Sequence, residues 1–321
     1  MINKYNLPML GNTVICNDDN GLSEFTKRQL IAYYVENTLE SARVENGIRC
    51  GGDNLYSLFC ELVSNDCIRS RDFCISDKKI LYRNYEYICN QDEVCINRIS
   101  KSSFLYKYGK KLNGIRLALK REKLYAYNHL RFYNEVLFPL FSLYSIMGFF
   151  LLHGSIACNA MGKSIAILGL DGVGKSTISL LLQEQGWECY SDNFILTNGL
   201  KYVPLNLTAR IDTKQRISIP AIYEDKELKE INNKKTLNRL IIPDEVYCLY
   251  MNSEIKRECV SSDFLSLLLY CNGANEIKEA NSFCAPFHLL NSSAINEVKT
   301  ILLGIPRGKL KEGCEIIING N

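Results

Sequence analysis

The feature that most constrains the fold of this 321-residue chain is the segment 169–177, which reads GLDGVGKST. It follows the pattern G-x-x-x-x-G-K-S/T and lies between two apolar runs, SIAIL at 164–168 and TISLLL at 177–182. The run before the loop predicts a buried strand, and the run after it predicts a helix. Glycines let backbone N–H groups turn inward beside the positive end of a helix, where they bind phosphate. The segment therefore predicts a nucleotide-binding loop.

Residue types within the loop have distinct expected roles. We expect Lys175 to reach the β- and γ-phosphates and the Ser176 hydroxyl to bind Mg²⁺. A GTPase would carry an Asn/Thr-Lys-x-Asp motif, and the sequence has none. A motor ATPase would carry an apolar strand that ends in Asp, but the apolar run at 246–250 continues into Met251 and Asn252. The choice between ATP and GTP stays open. The residues expected to bind ATP are Gly169, Asp171, Gly172, Val173, Gly174, Lys175, Ser176 and Thr177.

An acidic residue follows the loop closely. The run at 187–190 predicts a short strand directly after the loop helix, and Asp192 stands just past its end. A carboxylate in that place can take the proton of an attacking hydroxyl or hold Mg²⁺. An isolated Asp is more often a turn residue, but the position of Asp192 favours a catalytic and metal-binding role.

Charge and composition limit the partners. The chain has 38 Lys and Arg against 35 Asp and Glu, a net charge of +3, which argues against a polybasic nucleic-acid binder. The stretch 98–131 holds ten basic residues and one acid. It predicts either a solvated sheet face or a groove for an acidic peptide or another polyanion.

Two observations bear on the compartment. Residues 1–10 lack the apolar stretch of a secretory signal, and none of the 14 cysteines falls into C-x-x-C, so we expect reduced thiols, no zinc site and a cytoplasmic protein. The uncharged run 136–152 is 17 residues long and is interrupted by Pro139 and Gly148. It predicts a buried core helix and no stable membrane insertion.

The spacing of apolar residues predicts two domains. Residues 1–130 read as an α+β, β-rich domain for binding a substrate or partner, and residues 131–321 as a nucleotide-binding α/β domain with a mainly parallel or mixed sheet flanked by helices. The charged stretch 212–238 predicts a lid or surface excursion. Expected helices are 22–39, 53–63, 175–185 and 262–270, and expected strands are 73–75, 80–89, 94–99, 164–168, 187–190 and 246–250, with a hairpin at 115–127.

Four features occur in a specific order between residues 135 and 321. They are an apolar helix with a proline, the step Leu152-His153-Gly154-Ser155, the loop, and Gly-Trp-x-x-x-Ser-Asp at 186–192. In these features the chain resembles the catalytic domain of the HPr kinase/phosphorylase family and its relatives that phosphorylate ribosomally made peptides such as lasso-peptide precursors. The resemblance implies a P-loop kinase fold, with Asp192 as general base, His153 near the phosphates, and a serine of a protein or peptide as acceptor.

The chain also departs from that family. Asp171 stands where the family often has Ser, Asn193 replaces a second Asp, and 203–210 lacks the family's Glu-containing signature. The resemblance thus implies kinase activity and leaves phosphorylase activity in doubt. A small-molecule kinase and a nucleotide-sensing module that binds a partner without transfer stay open. So do the acceptor and the oligomeric state, although the family is often oligomeric.

Overall fold

The computed structural model divides into two compact units, with the described residues up to Met147 in the first and those from Gly148 onward in the second. Both are rich in β-structure, and both carry helices. The structure describes residues 2–17, 20–30, 33–37, 47–52, 55–64, 73–76, 79–82, 85–90, 93–99, 131–170, 172–191, 194–205, 209–211, 227–229, 240–260 and 298–320.

The first unit is built on an eight-stranded antiparallel sheet with the order β3-β1-β2-β4-β8-β7-β6-β5. Its strands are β1 Ile2–Leu7, β2 Gly11–Cys16, β3 Tyr34–Asn37, β4 Gly47–Gly51, β5 Phe73–Ser76, β6 Lys79–Tyr82, β7 Tyr85–Asn90 and β8 Glu93–Arg98. Its helices are α1 Asn20–Gln29, α2 Leu55–Ser64 and α3 Phe138–Ile146, the last preceded by a π-helical turn at Tyr133–Leu137. Alternate residues of β1 and β6 are buried, as expected for strands with one face on a core.

The uncharged run divides between the two units. Every residue of α3 is buried, and the helix is fixed in the first unit by hydrogen bonds from Ser142 Oγ to Tyr87 Oη (3.0 Å) and from Tyr144 Oη to the Pro8 carbonyl (2.8 Å). The unit boundary therefore comes later than the expected division after residue 130. No described helix is long and apolar enough to cross a membrane.

Several predicted elements differ in the structure. The helix expected at 22–39 ends at Gln29, and Tyr34–Asn37 is a strand because it pairs with β1 at the edge of the sheet. The strand expected at 80–89 is a hairpin, β6 and β7. The predicted hairpin at 115–127, helix at 262–270 and most of the stretches 98–131 and 212–238 lie outside the described residues.

The second unit contains an eight-stranded mixed sheet with the order β13-β12-β9-β10-β16-β18-β17, in which β11 also pairs with β9. The pairs β10/β16 and β16/β18 are parallel and the others are antiparallel, so the expectation of a mainly parallel sheet was wrong and that of a mixed one is confirmed. Its strands are β9 Phe150–Cys158, β10 Ser164–Gly169, β11 Glu188–Ser191, β12 Phe194–Thr197, β13 Tyr202–Leu205, β16 Glu245–Met251, β17 Lys256–Val260 and β18 Lys299–Ile305. The helices are α4 Lys175–Glu184 and α5 Leu310–Asn319, and β14 Ala209–Ile211 pairs with β15 Glu227–Lys229.

Both faces of the central strands are buried, which explains their continuous apolar sequences. In β10, Ile165 and Ile167 pack with α4 and α5 residues, whereas Ala166 and Leu168 belong to a second cluster on the other face. The single tryptophan, Trp187, is buried in the first of these clusters. Its fluorescence therefore reports on the folding of the second unit.

An ion-pair cluster holds the amino ends of β16 and β18. The Glu245 carboxylate accepts hydrogen bonds from Lys299 Nζ (2.5 Å) and Tyr247 Oη (2.8 Å), and Lys163 Nζ lies 2.9 Å away. Burial raises the pKa of Glu245, but the bonds from Lys299, Lys163 and Tyr247 outweigh it and lower the pKa from 4.5 to about 2. The ionised carboxylate therefore stabilises the folded unit above pH 4.5, and this contribution is lost as the pH falls towards 2.

Glu245→Gln is expected to lower the free energy of unfolding by up to about 3 kcal/mol at pH 7, because it removes a carboxylate with a depressed pKa. Urea unfolding followed by Trp187 fluorescence measures this difference. It should shrink to less than half at pH 3, where the wild-type carboxylate contributes less. Glu258→Gln, which breaks the exposed pair with Lys256 (2.5 Å), is the control and should change little. A Glu245→Gln effect independent of pH would contradict the assignment.

Candidate functional site

The segment 169–177 runs from the last residue of β10 through a loop into the first turn of α4, and it is described except at Asp171. Two of its glycines are needed where other elements approach. At Gly169 (φ 148°) a Cβ would lie 2.6 Å from the Leu249 carbonyl of β16. At Gly174 (φ 100°), which precedes α4, a Cβ would lie 2.6 Å from a methyl group of Leu310 in α5. The expected strand–loop–helix is confirmed, and β16 and α5 border it.

Lys175, the first residue of α4, is turned towards its own loop. Its ammonium donates hydrogen bonds to the carbonyls of Gly169 and Leu170, both at 2.8 Å, and the residue is only 4% exposed. Gly172 and Thr177 are exposed, and Ser176 is half-buried. An anion held by the loop would be close to the Lys175 ammonium, which donates to two carbonyl oxygens of the same loop.

The loop helix is tied to two neighbouring strands by small polar groups. Ser179 Oγ donates to Ser155 Oγ of β9 (2.8 Å), and the Cys189 thiol of β11 donates to the Ser179 carbonyl (3.2 Å). Ser179 and Cys189 were missed in the sequence, and Ser155 was named only as part of the step 152–155. The only signal was a serine within the apolar run TISLLL, which is too weak to predict its partners.

His153 and Gly154 lie on β9, level with the beginning of the loop. Gly154 pairs with Leu168 in β10, and a Cβ at Gly154 would lie 2.7 Å from the Ile167 carbonyl. His153 is half-buried and stacks on Phe194 of β12, with ring centroids 6.2 Å apart and planes at 30°. The structure therefore brings this histidine to the same edge of the sheet as the loop.

Asp192 and Asn193 lie outside the described residues, but both of their neighbours are described. Ser191 pairs with Ile156 and Phe194 pairs with His153, and the Ser191 hydroxyl donates to the Phe194 carbonyl (2.7 Å). The two ends of this connection therefore flank Gly154 and the next residue of β9. Ser191 and Phe194 pair with β9, and β9 pairs with β10 on its other side. The backbone at Ser191 and Phe194 therefore lies about 10 Å, or two strand spacings, from the backbone of β10.

The turn at 306–309 also lies near the loop, and this was not predicted from the sequence. The turn follows β18 and is closed by a hydrogen bond from Lys309 N–H to the Pro306 carbonyl (3.0 Å). It leads into Leu310, which packs on Gly174. Arg307, Gly308 and Lys309 are exposed. The turn residues gave no motif, because their link to the loop depends on tertiary packing.

The described side chains near the loop offer few donors for a metal ion. Among the described residues, no three His, Cys, Asp or Glu side chains lie close enough together to hold one. Ser176 offers a hydroxyl next to the loop, of the kind that binds Mg²⁺ together with carboxylate and phosphate oxygens. The expected second ligand, Asp192, is not among the described residues.

No protein-family model matches the chain, and no curated protein matches its sequence. The resemblance to the HPr kinase/phosphorylase family therefore rests on the four sequence features and stays a prediction. What the structure establishes is a mixed α/β unit in which a glycine-rich loop with a buried lysine joins a central strand to a helix.

Proposed function

We propose that the protein is an ATP- and Mg²⁺-dependent P-loop kinase that transfers the γ-phosphate to a hydroxyl, a serine of a protein or of a ribosomally made peptide. The observation that carries this proposal is the loop 169–177 between a buried strand and α4, with Lys175 beginning the helix. The backbone N–H groups of this loop surround the β-phosphate, and the start of α4 adds a favourable dipole.

Lys175 has the central electrostatic role in this proposal. Its ammonium leaves the carbonyls of Gly169 and Leu170 and binds the β- and γ-phosphate oxygens. Negative charge grows on the oxygen between these phosphates as its bond to the γ-phosphorus breaks. Lys175 stabilises that charge from a buried position, where electrostatic interactions are stronger than in water.

Asp192 acts on the other side of the transferred group. As the acceptor oxygen forms its bond to the γ-phosphorus, its proton moves to the Asp192 carboxylate and ADP leaves. Ser176 and Asp192 would hold Mg²⁺, which would supply positive charge next to the phosphate oxygens. His153, level with the start of the loop, provides a further polar group near the phosphates.

The test is transfer of label from γ-labelled ATP with Mg²⁺ into a lysate of the native host. The wild-type protein should label a protein or peptide, whereas Lys175→Ala should reduce labelling at least 100-fold. Lys201→Ala removes an exposed lysine from the turn between β12 and β13 and should keep full activity.

Other outcomes would contradict the proposal in different ways. Label in a small molecule would indicate a small-molecule kinase. ATP binding without label in any acceptor would favour a nucleotide-sensing module, for which Asn193 in place of a second acid is the supporting sequence feature.

A further inference from the structure

The turn at 306–309 is held close to the glycine-rich loop by one apolar contact. Leu310, the first residue of α5, lies so near Gly174 that an added Cβ would come within 2.9 Å of both of its terminal carbons. The turn directly before it is tight, because Lys309 N–H bonds to the Pro306 carbonyl at 3.0 Å and Gly308 has a φ of 94°. Arg307 is therefore within a few residues of a fixed contact with the loop.

The two cations of this turn differ in their partners. Both are exposed, but Lys309 Nζ lies 3.2 Å from the Glu312 carboxylate. Within the described part of the chain, no carboxylate forms an ion pair with Arg307. Lys175 is buried and hydrogen-bonded to loop carbonyls, whereas Arg307 is exposed and has no ion pair with any described carboxylate.

We infer that Arg307 binds phosphate oxygens of the nucleotide held by the loop 169–177. This inference rests on the proposed function, because it requires a nucleotide in that loop. A guanidinium suits the role since its planar donors pair with two phosphate oxygens at once and it stays charged at every physiological pH. Arg307 is then the second cation of the site and reaches the phosphates from the α5 side.

The experiment compares affinities for ATP and ADP, with Mg²⁺, in the full-length chain by titration calorimetry. Arg307→Ala is expected to raise the Kd for ATP roughly 10- to 100-fold, since it removes charge-assisted hydrogen bonds. Arg307→Lys should restore part of the loss. Lys309→Ala is the matched control, because it removes the same charge from the same turn, and it should change the Kd less than about threefold.

Each other result has a distinct meaning. Wild-type affinity in Arg307→Ala would overturn the inference and leave the proposed function standing. Equal losses in Arg307→Ala and Lys309→Ala would also overturn it, because they would reflect the net charge of the turn. A wild-type protein that binds no ATP would overturn the proposed function itself. Unchanged urea midpoints, followed by Trp187 fluorescence, exclude misfolding as the cause of a loss.

Discussion

The Asp192→Ala protein is expected to bind ATP like the wild type and to transfer phosphate at least 100-fold more slowly. The loop and Lys175 supply most of the binding energy for the phosphates, whereas the carboxylate acts on the acceptor proton during transfer. Parallel measurements of the Kd for ATP and of the rate of label transfer to the identified acceptor separate these contributions. Asp192→Asn, which keeps the shape and loses the base, should be impaired to a similar extent.

A nearby carboxylate provides the control for this prediction. Glu188 lies on β11, is exposed, and accepts a hydrogen bond from Tyr190 Oη (2.7 Å). Glu188→Ala should transfer phosphate at close to the wild-type rate. Transfer by Asp192→Ala at the wild-type rate would exclude Asp192 as the base, and loss of ATP binding in that variant would indicate that Asp192 acts mainly by holding Mg²⁺ and not by accepting the proton.

Gly154→Val is expected to destabilise the second unit by about 3 kcal/mol or more. The new side chain would meet the Ile167 carbonyl at 2.7 Å, a Leu168 methyl at 2.7 Å and an Ile195 methyl at 3.0 Å. Because the first of these is backbone of the adjacent strand, relief requires β9 and β10 to move apart. Urea unfolding followed by Trp187 fluorescence measures the loss in the correct unit.

Gly162→Ala separates packing from backbone strain in this experiment. Gly162 has a φ of 89°, and an added Cβ would meet no atom within 4 Å, so the substitution should cost about 1 kcal/mol from the backbone alone. If Gly154→Val cost no more than this control, the close approach of β9 to β10 would be wrong. Should Gly154→Val fail to fold, Gly154→Ala carries the same first clash and can replace it.

Local sequence patterns were sufficient for the elements that carry the loop. The strand expected at 164–168 is Ser164–Gly169, and the helix expected at 175–185 is Lys175–Glu184. Both could be predicted because the run SIAIL is buried on two faces and the glycines mark where the chain leaves the sheet. Likewise the helix expected at 53–63 is Leu55–Ser64.

Strand pairing between distant segments could not be predicted in this way. The run 136–152 contains no charge, so its apolar residues give no period that separates a helix from a strand. The structure ends the helix at Ile146 and begins β9 at Phe150, with Gly148 in the left-handed region between them. Yet β9 is the strand against which β10, β11 and β12 all pair.

In the candidate site too, local motifs could be predicted from the sequence and contacts between distant segments could not. Lys175 and Ser176 could be placed from a short motif, because the chemistry and the local fold depend on the same consecutive residues. Arg307 could not, since its relation to the loop depends on Leu310 reaching Gly174 across more than a hundred residues of sequence. The role of Asp192 stays a prediction that the experiments above address, and the role of His153 also stays a prediction.

The hydrogen bonds from Lys175 to Gly169 and Leu170 have a consequence for ligand selectivity. A ligand that binds the Lys175 ammonium replaces its hydrogen bonds to the two carbonyls, each 2.8 Å long. The loss of these bonds reduces the net binding energy of the ligand. A single inorganic anion has few oxygens with which to offset that loss, whereas a triphosphate contacts several loop amides together with the lysine. The two carbonyl oxygens thus compete with the ligand for the ammonium, and this competition should weaken the binding of sulfate or free phosphate more than the binding of ATP.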